Sequence, residues 1–179
     1  MYQTPKEKTP HPSPPPGVPE GGDQTSAIGY IALGSNLGNR KGNIAAAVSK
    51  LSEIPGTVVL RVSDLLENLA VGGPDQSPAF LNAVAEIRTN LPAIDLLHHL
   101  FNIEKELGRV RREKWEPRVI DLDLILYGDE IIRSKELTVP HPLMHERRFV
   151  LEPLAQLCPE YVHPTIQLTV KTLLQNMPH

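Results

Sequence analysis

Apolar positions recur along the chain with two periods, and the switches between them mark out its elements. Ala27-Ile28-Gly29-Tyr30-Ile31-Ala32-Leu33 is a short apolar run that predicts a first strand. Gly34 to Arg40 is turn-rich and predicts a tight strand-to-helix connection. Ile44, Val48 and Leu51 follow at helical spacing, and Pro55-Gly56 ends that helix. Thr57 to Val62 is rich in β-branched residues and predicts a second strand. Residues 63–79 keep no clean period, and Gly72 to Pro78 reads as loop. A third strand, Phe80 to Thr89, puts Leu81, Ala83, Ala85 and Ile87 on a core face and Phe80, Asn82, Val84, Glu86 and Arg88 on the other. Pro92 opens a second helix with the buried stripe Leu96, Leu100, Ile103 and Leu107, and Gly108 stops it.

The strongest β-type run is Val119 to Tyr127, closed by Gly128. Alternation predicts that Ile120, Leu122, Leu124 and Leu126 share an apolar core face. Asp121 and Asp123 then share the opposite face with Val119, Ile125 and Tyr127. Ile131-Ile132 and Leu137-Thr138-Val139 predict short extended pieces. Val150, Leu151 and Leu154 predict a short helix, His163-Pro164 a turn, and Val170, Leu173 and Leu174 a final helix.

Composition alters this picture mainly at the N-terminus. Seven of the first twenty residues are proline and most others are polar. Such a segment cannot bury enough apolar area to offset its ordering entropy, so residues 1–26 are expected to be a disordered tail and 27–179 the domain. The whole chain is 40% hydrophobic and 22% charged, ordinary for a globular domain, and its net charge of −3 argues against a nucleic-acid binder. The single cysteine, Cys158, excludes an intramolecular disulfide. With no signal peptide or membrane span in the sequence, a soluble cytoplasmic protein is expected, its oligomeric state not set by these features.

Candidate chemistry gathers at residues 109–123. Two carboxylates on one strand face repel each other, and a bound cation is one relief. Mg²⁺ prefers oxygen donors and commonly takes one or two carboxylates, completing its shell with water and phosphate. Asp-x-Asp alone is more simply a solvated strand face. Arg109, Arg111, Arg112, Lys114 and Arg118 precede and flank it, however, and arginine forks bind phosphate oxygens in bidentate fashion. Trp115 sits among them. The combination favours a metal–polyphosphate site. Phe80 and Asn82 offer a ring and an amide suited to a flat heterocycle. Glu104 lies near the basic loop, where an arginine partner is the simplest role. The Gly34–Arg40 loop lacks the Gly-Lys-Ser/Thr ending of a Walker-type site. His141 and His145 have zinc-pair spacing, but Pro142 and the lack of a third ligand favour a phosphate or nucleotide contact for His141.

Taken in order, Gly34-Ser35-Asn36-Leu37-Gly38, Phe80-Leu81-Asn82, Gly108-Arg109-Val110-Arg111, Trp115-x-Pro-Arg-x-Ile-Asp-Leu-Asp-Leu and Val139-Pro140-His141-Pro142-x-Met144-x-x-Arg147-x-Phe149 resemble the hydroxymethyl-dihydropterin pyrophosphokinase family of folate biosynthesis. The resemblance implies an α+β fold, a ferredoxin-like sandwich with a mainly antiparallel sheet and flanking helices. It implies transfer of pyrophosphate from ATP to the hydroxymethyl oxygen of the dihydropterin, releasing AMP. By the same resemblance Asp121 and Asp123 would hold two Mg²⁺ ions. Arg109 and Arg118 would neutralise the transferring group. Glu104, Arg109, Arg111, Arg118, Thr138, His141 and Arg147 would line the ATP side. Phe80 and Phe149 would sandwich the pterin, Asn82 would bond its edge, Asn68 and Val71 would add contacts, and Trp115 would close over it. Asp123 is the nearest candidate general base, although a metal-polarised hydroxyl would need none.

The sequence departs from the family pattern at Leu66-Glu67-Asn68-Leu69-Ala70, where an aromatic-acidic-Thr-x-Pro run is usual, at Glu116, and at Pro142. These changes bear on pterin affinity rather than on the metal and phosphate ligands. Two rival readings are a metal-dependent nucleotide-sugar transferase, for which the chain is short, and a non-catalytic pterin- or nucleotide-binding module.

Overall fold

The computed structural model describes residues 26–68, 78–109 and 118–178. Its elements are β1 (Ala27–Ser35), α1 (Arg40–Ser52), β2 (Thr57–Val62), β3 (Leu66–Asn68), β4 (Phe80–Thr89), α2 (Ala93–Glu106), β5 (Asp121–Tyr127), β6 (Ile132–Arg133), β7 (Thr138–Val139), α3 (Arg148–Leu157) and α4 (Val170–Gln175). A 3-10 turn, Met144–Glu146, precedes α3. Local chemistry sets the helix ends. Asn39 Oδ1 accepts from Gly42 N at 3.0 Å and caps α1, while Pro92 stands at the N-cap of α2. After α2 the chain reverses through Gly108, whose φ of +93° suits glycine.

The main sheet runs β2-β4-β1-β5, every pair antiparallel, with β3 continuing along β4 beyond β2. Its two β-α-β units, β1-α1-β2 and β4-α2-β5, are interleaved, which is the ferredoxin-like arrangement the family resemblance implied. β6 and β7 form a separate hairpin.

Helices cover both faces. On one, Ile44, Ala47 and Leu51 of α1 and Leu96, Leu100 and Ile103 of α2 pack against Ile31, Leu33, Ala83, Ala85, Ile87, Leu122 and Leu124. On the other, Val150, Leu151 and Leu154 of α3 and Val170 and Leu173 of α4 pack against Tyr30, Val84, Ile125 and Leu126. Each fully buried aliphatic side chain contributes about 1.5–3 kcal/mol, so both layers hold the sheet firmly.

This arrangement corrects the strict alternation expected for β5. Tyr30 pairs with Leu126 but Ile31 pairs with Leu124, leaving Ile125 as the extra residue of a bulge. Beyond the bulge the faces exchange. Leu126 joins the second core beside Ile125, and Tyr127 joins the first beside Leu124. The face of β4 bearing Val84 and Glu86 is likewise buried. β3 is an added strand within a stretch that showed no clear period.

Candidate active site

Strand register builds the site. Gly34 lies opposite Asn82 on one side and Asp121 on the other, and Ala32 lies between Val84 and Asp123. Residues directly opposite in antiparallel strands share a face. Asn82, Gly34 and Asp121 therefore form one row, and Val84, Ala32 and Asp123 the next. Phe80, two residues before Asn82, continues the same face opposite Asn68. The central strand contributes only Ala32 and Gly34 to these rows, so their floor is low between Asn82 and Val84 on one side and the two carboxylates on the other. A Cβ at Gly34 would lie 3.2 Å from Asn82 Oδ1, 3.6 Å from Phe80 Cδ1 and 3.9 Å from Asp121 Cβ.

Asp121 is gripped from two sides. Arg109 Nη2 lies 2.7 Å from Oδ1, and Arg118 Nη1 donates to Oδ2 at 2.6 Å. Arg109 also pairs with Glu104, which is 2% exposed on α2. Glu104 Oε1 further accepts from Leu122 N at 2.8 Å. This carboxylate thus ties α2, the post-helical arginine and β5 together. Its pKa is raised because burial outweighs the Leu122 N–H and the Arg109 charge.

Asp123 is exposed but closely walled by protein, and no ion pair to it is formed among the described residues. Its pKa is raised, first by desolvation and then by the Asp121 charge, against the pull of His141, Arg147 and Arg109. The backbone N–H of His141 donates to Ile125 O at 2.9 Å, placing this residue beside the aspartate strand. Leu143 N donates to His141 Nδ1 at 3.2 Å, so the neutral ring carries its proton on Nε2. Burial lowers the His141 pKa; Asp123 pulls it up and Arg147 pushes it down. The Arg147 guanidinium also stands 5.9 Å from the centre of the Phe149 ring. Thr138 is exposed on β7.

Among the described residues no group of three or more His, Cys, Asp or Glu side chains is placed to hold a metal ion unaided. The available donors are the oxygens of Asp121 and Asp123. That hard, incomplete donor set fits Mg²⁺ in the company of water and phosphate, and does not fit zinc.

Most of the expected site residues therefore converge: Glu104, Arg109, Arg118, Asp121, Asp123, His141 and Arg147 around β5, and Phe80, Asn82 and Asn68 across the sheet. Asn82 donates to Asn68 Oδ1, so the departing segment 66–70 still presents an amide to this face. Val71, Arg111 and Trp115 lie outside the described residues, as does the Pro-rich segment up to residue 25. Gly34-Ser35-Asn36, for which the sequence pattern predicts only a strand-to-helix connection, also contributes to the site. Asn36 is 5% exposed and bonds to Arg118, 82 residues away. Two small polar residues directly after an apolar strand were the available signal.

Residues 30–159 match the family described as 7,8-dihydro-6-hydroxymethylpterin-pyrophosphokinase (HPPK). The chain is 41% identical over 150 residues to the 2-amino-4-hydroxy-6-hydroxymethyldihydropteridine pyrophosphokinase of Haemophilus influenzae, covering 84% of this chain and 93% of that protein. The Bacillus subtilis protein of the same name is 47% identical over 131 residues, covering 73% and 78%. The folic acid synthesis protein fol1 of Pneumocystis carinii is 46% identical over 148 residues, but the match spans only 20% of its length against 83% of this chain. Among solved structures, HPPK-DHPS of Plasmodium falciparum superposes with a TM-score of 0.68 at 14% identity, covering 87% of this chain and 46% of that one. At that identity the likeness establishes the fold.

Proposed function

The chain belongs to the 7,8-dihydro-6-hydroxymethylpterin-pyrophosphokinase family, and from that premise we propose how its site divides the work. The enzyme transfers pyrophosphate from ATP to the hydroxymethyl group of 6-hydroxymethyl-7,8-dihydropterin, in folate synthesis, and releases AMP. The hydroxymethyl oxygen forms a bond to the β-phosphorus, the bond from that phosphorus to the AMP oxygen breaks, and the hydroxyl proton is lost. Such a transfer depends on alignment and charge compensation more than on covalent help from the protein.

In our reading Phe80, Asn82 and Phe149, with Asn68 behind Asn82, hold the pterin over one side of the Gly34 floor. Arg109, Arg118, His141, Thr138 and Arg147 receive the nucleotide on the other. Asp121 and Asp123 would hold two Mg²⁺ ions. Bound there, magnesium would supply cationic stabilisation of the phosphate oxygens. Arg109 and Arg118 neutralise Asp121 until the triphosphate arrives and then turn to its oxygens. Glu104, fixed by Leu122 N, keeps Arg109 within reach. Neutral His141 donates from Nε2 to a phosphate oxygen. Asp123 is the side chain best placed to accept the hydroxyl proton. We propose a cytoplasmic monomer as the working form. Among the described residues no helix is long and apolar enough to cross a membrane.

The observation that carries this reading is the pair of adjacent rows, Asn82–Gly34–Asp121 and Val84–Ala32–Asp123. They set the heterocycle wall and the carboxylates on one sheet face, one strand apart. The test is chromatographic. ATP, the dihydropterin and Mg²⁺ should give AMP in proportion to pterin consumed, and EDTA should stop the reaction. Pterin binding without AMP would identify a binding module instead.

A further inference from the structure

We infer that Asn36 is a positioning residue for this reaction: its side-chain amide ties the Arg118 backbone to the entry of the strand that carries Phe80 and Asn82. The inference rests on the division of the site proposed above.

Regular pairing of β1 with β5 ends at Gly34 and Asp121. Asn36 extends it by other means. Its backbone N–H donates to Arg118 O at 3.1 Å, and its Oδ1 accepts from Arg118 N at 2.7 Å. The two bonds form a closed ring resembling a ladder pair, with a side-chain oxygen in place of a carbonyl. Nδ2 then donates to Pro78 O at 3.4 Å. Each side-chain polar group is thus committed to a segment bordering the site. On one side is Arg118, whose guanidinium meets Asp121 at 2.6 Å. On the other is the residue two positions before Phe80.

The surrounding loop is built to hold Asn36 still. Asn43 Nδ2 donates to Ser35 Oγ at 3.1 Å and to Leu37 O at 2.8 Å. Arg40 Nη1 donates to Ala79 O at 2.7 Å and pairs with Glu67 of β3 at the same distance. The α1 end of the loop therefore grips the same strand entry that Asn36 reaches. Reach and direction of the Arg118 side chain follow from where its backbone is pinned, so Asn36 sets the cationic wall relative to the heterocycle wall.

Steady-state kinetics on the full chain test this, with wild type, Asn36→Ala, Asn36→Asp, Arg118→Ala and the Asn36→Ala/Arg118→Ala double variant. A displacement of about 1 Å at a reacting group can cost about 100-fold, so Asn36→Ala should lower kcat by about 10- to 100-fold. The double variant should fall no further than Arg118→Ala alone, the non-additivity of residues that act through one another. Asn36→Asp keeps an acceptor for Arg118 N–H but loses the donor to Pro78. It should recover most of the lost kcat and keep a raised KM for the pterin. Additive losses in the double variant, or a wild-type kcat in Asn36→Ala, would overturn the inference. If Asn36→Ala does not fold, Asn36→Asp decides: a kcat as low as that of Arg118→Ala overturns it. A wild-type protein that forms no AMP would instead sink the proposed function.

Discussion

Glu104→Gln separates the energetic cost of a buried charge from its use. The carboxylate is 2% exposed, accepts from Leu122 N at 2.8 Å and pairs with Arg109. Glutamine retains an acceptor for Leu122 N, worth about 1 kcal/mol net. It loses the ion pair, but Arg109 keeps Asp121 at 2.7 Å. It also removes the desolvation cost that raises the Glu104 pKa. Loss and relief nearly cancel, so the net change should stay within about 1 kcal/mol, or about 2–4 °C in Tm for a domain of this size. Glu104→Ala leaves Leu122 N–H without its partner and opens a cavity, and should cost about 2–4 kcal/mol. Both variants should lose about tenfold or more in kcat, because Arg109 loses its Glu104 anchor and is held by Asp121 alone. The sign with pH is defined. Because the folded pKa lies above the ordinary value of 4.5, the residue's contribution to stability is full below that value and declines as pH rises through the folded pKa. The Tm of wild type relative to Glu104→Gln should therefore fall as pH rises from 4.5. Differential scanning calorimetry with parallel AMP assays reads both quantities. If Glu104→Gln melts as early as Glu104→Ala, the ion pair holds the fold and the argument from burial is wrong.

Three other outcomes are expected. Asp123→Ala should lower kcat by about 10²–10³-fold, the size of losing one preorganised electrostatic group. Its Tm should be unchanged or slightly raised because repulsion with Asp121 ends. Gly34→Ala puts a methyl carbon 3.2 Å from Asn82 Oδ1, and should raise KM for the pterin with little change for ATP in steady-state assays. Deleting residues 1–26 should leave melting temperature and rate nearly unchanged; a drop of several degrees would show that the segment docks on the domain.

Much of this architecture was legible because its long elements have clear periods. The α2 stripe Leu96, Leu100 and Ile103 and the β4 positions Ala83, Ala85 and Ile87 all enter the first core. What escaped depends on partners distant in sequence. The bulge at Ile125 exists only in register with Tyr30 and Ile31, so alternation within β5 could not reveal it. β3 has three residues, too few for a period, and forms because β4 offers it an edge. Asp121, Asp123 and the arginines stood out as charges crowded beside a strand. The low floor did not, since Gly34 matters through what lies opposite it on two neighbouring strands. Nor did Asn36, whose amide acts on residues 42 and 82 positions away.

Asp121 and Asp123 are proposed to hold divalent ions against the nucleotide. Titrating Mn²⁺ into the protein with a non-hydrolysable ATP analogue, and counting bound ions by electron paramagnetic resonance, tests this directly. Two ions should bind per nucleotide-bound wild-type chain, and fewer in Asp121→Ala and in Asp123→Ala. Two ions retained in the double alanine variant would contradict the proposal.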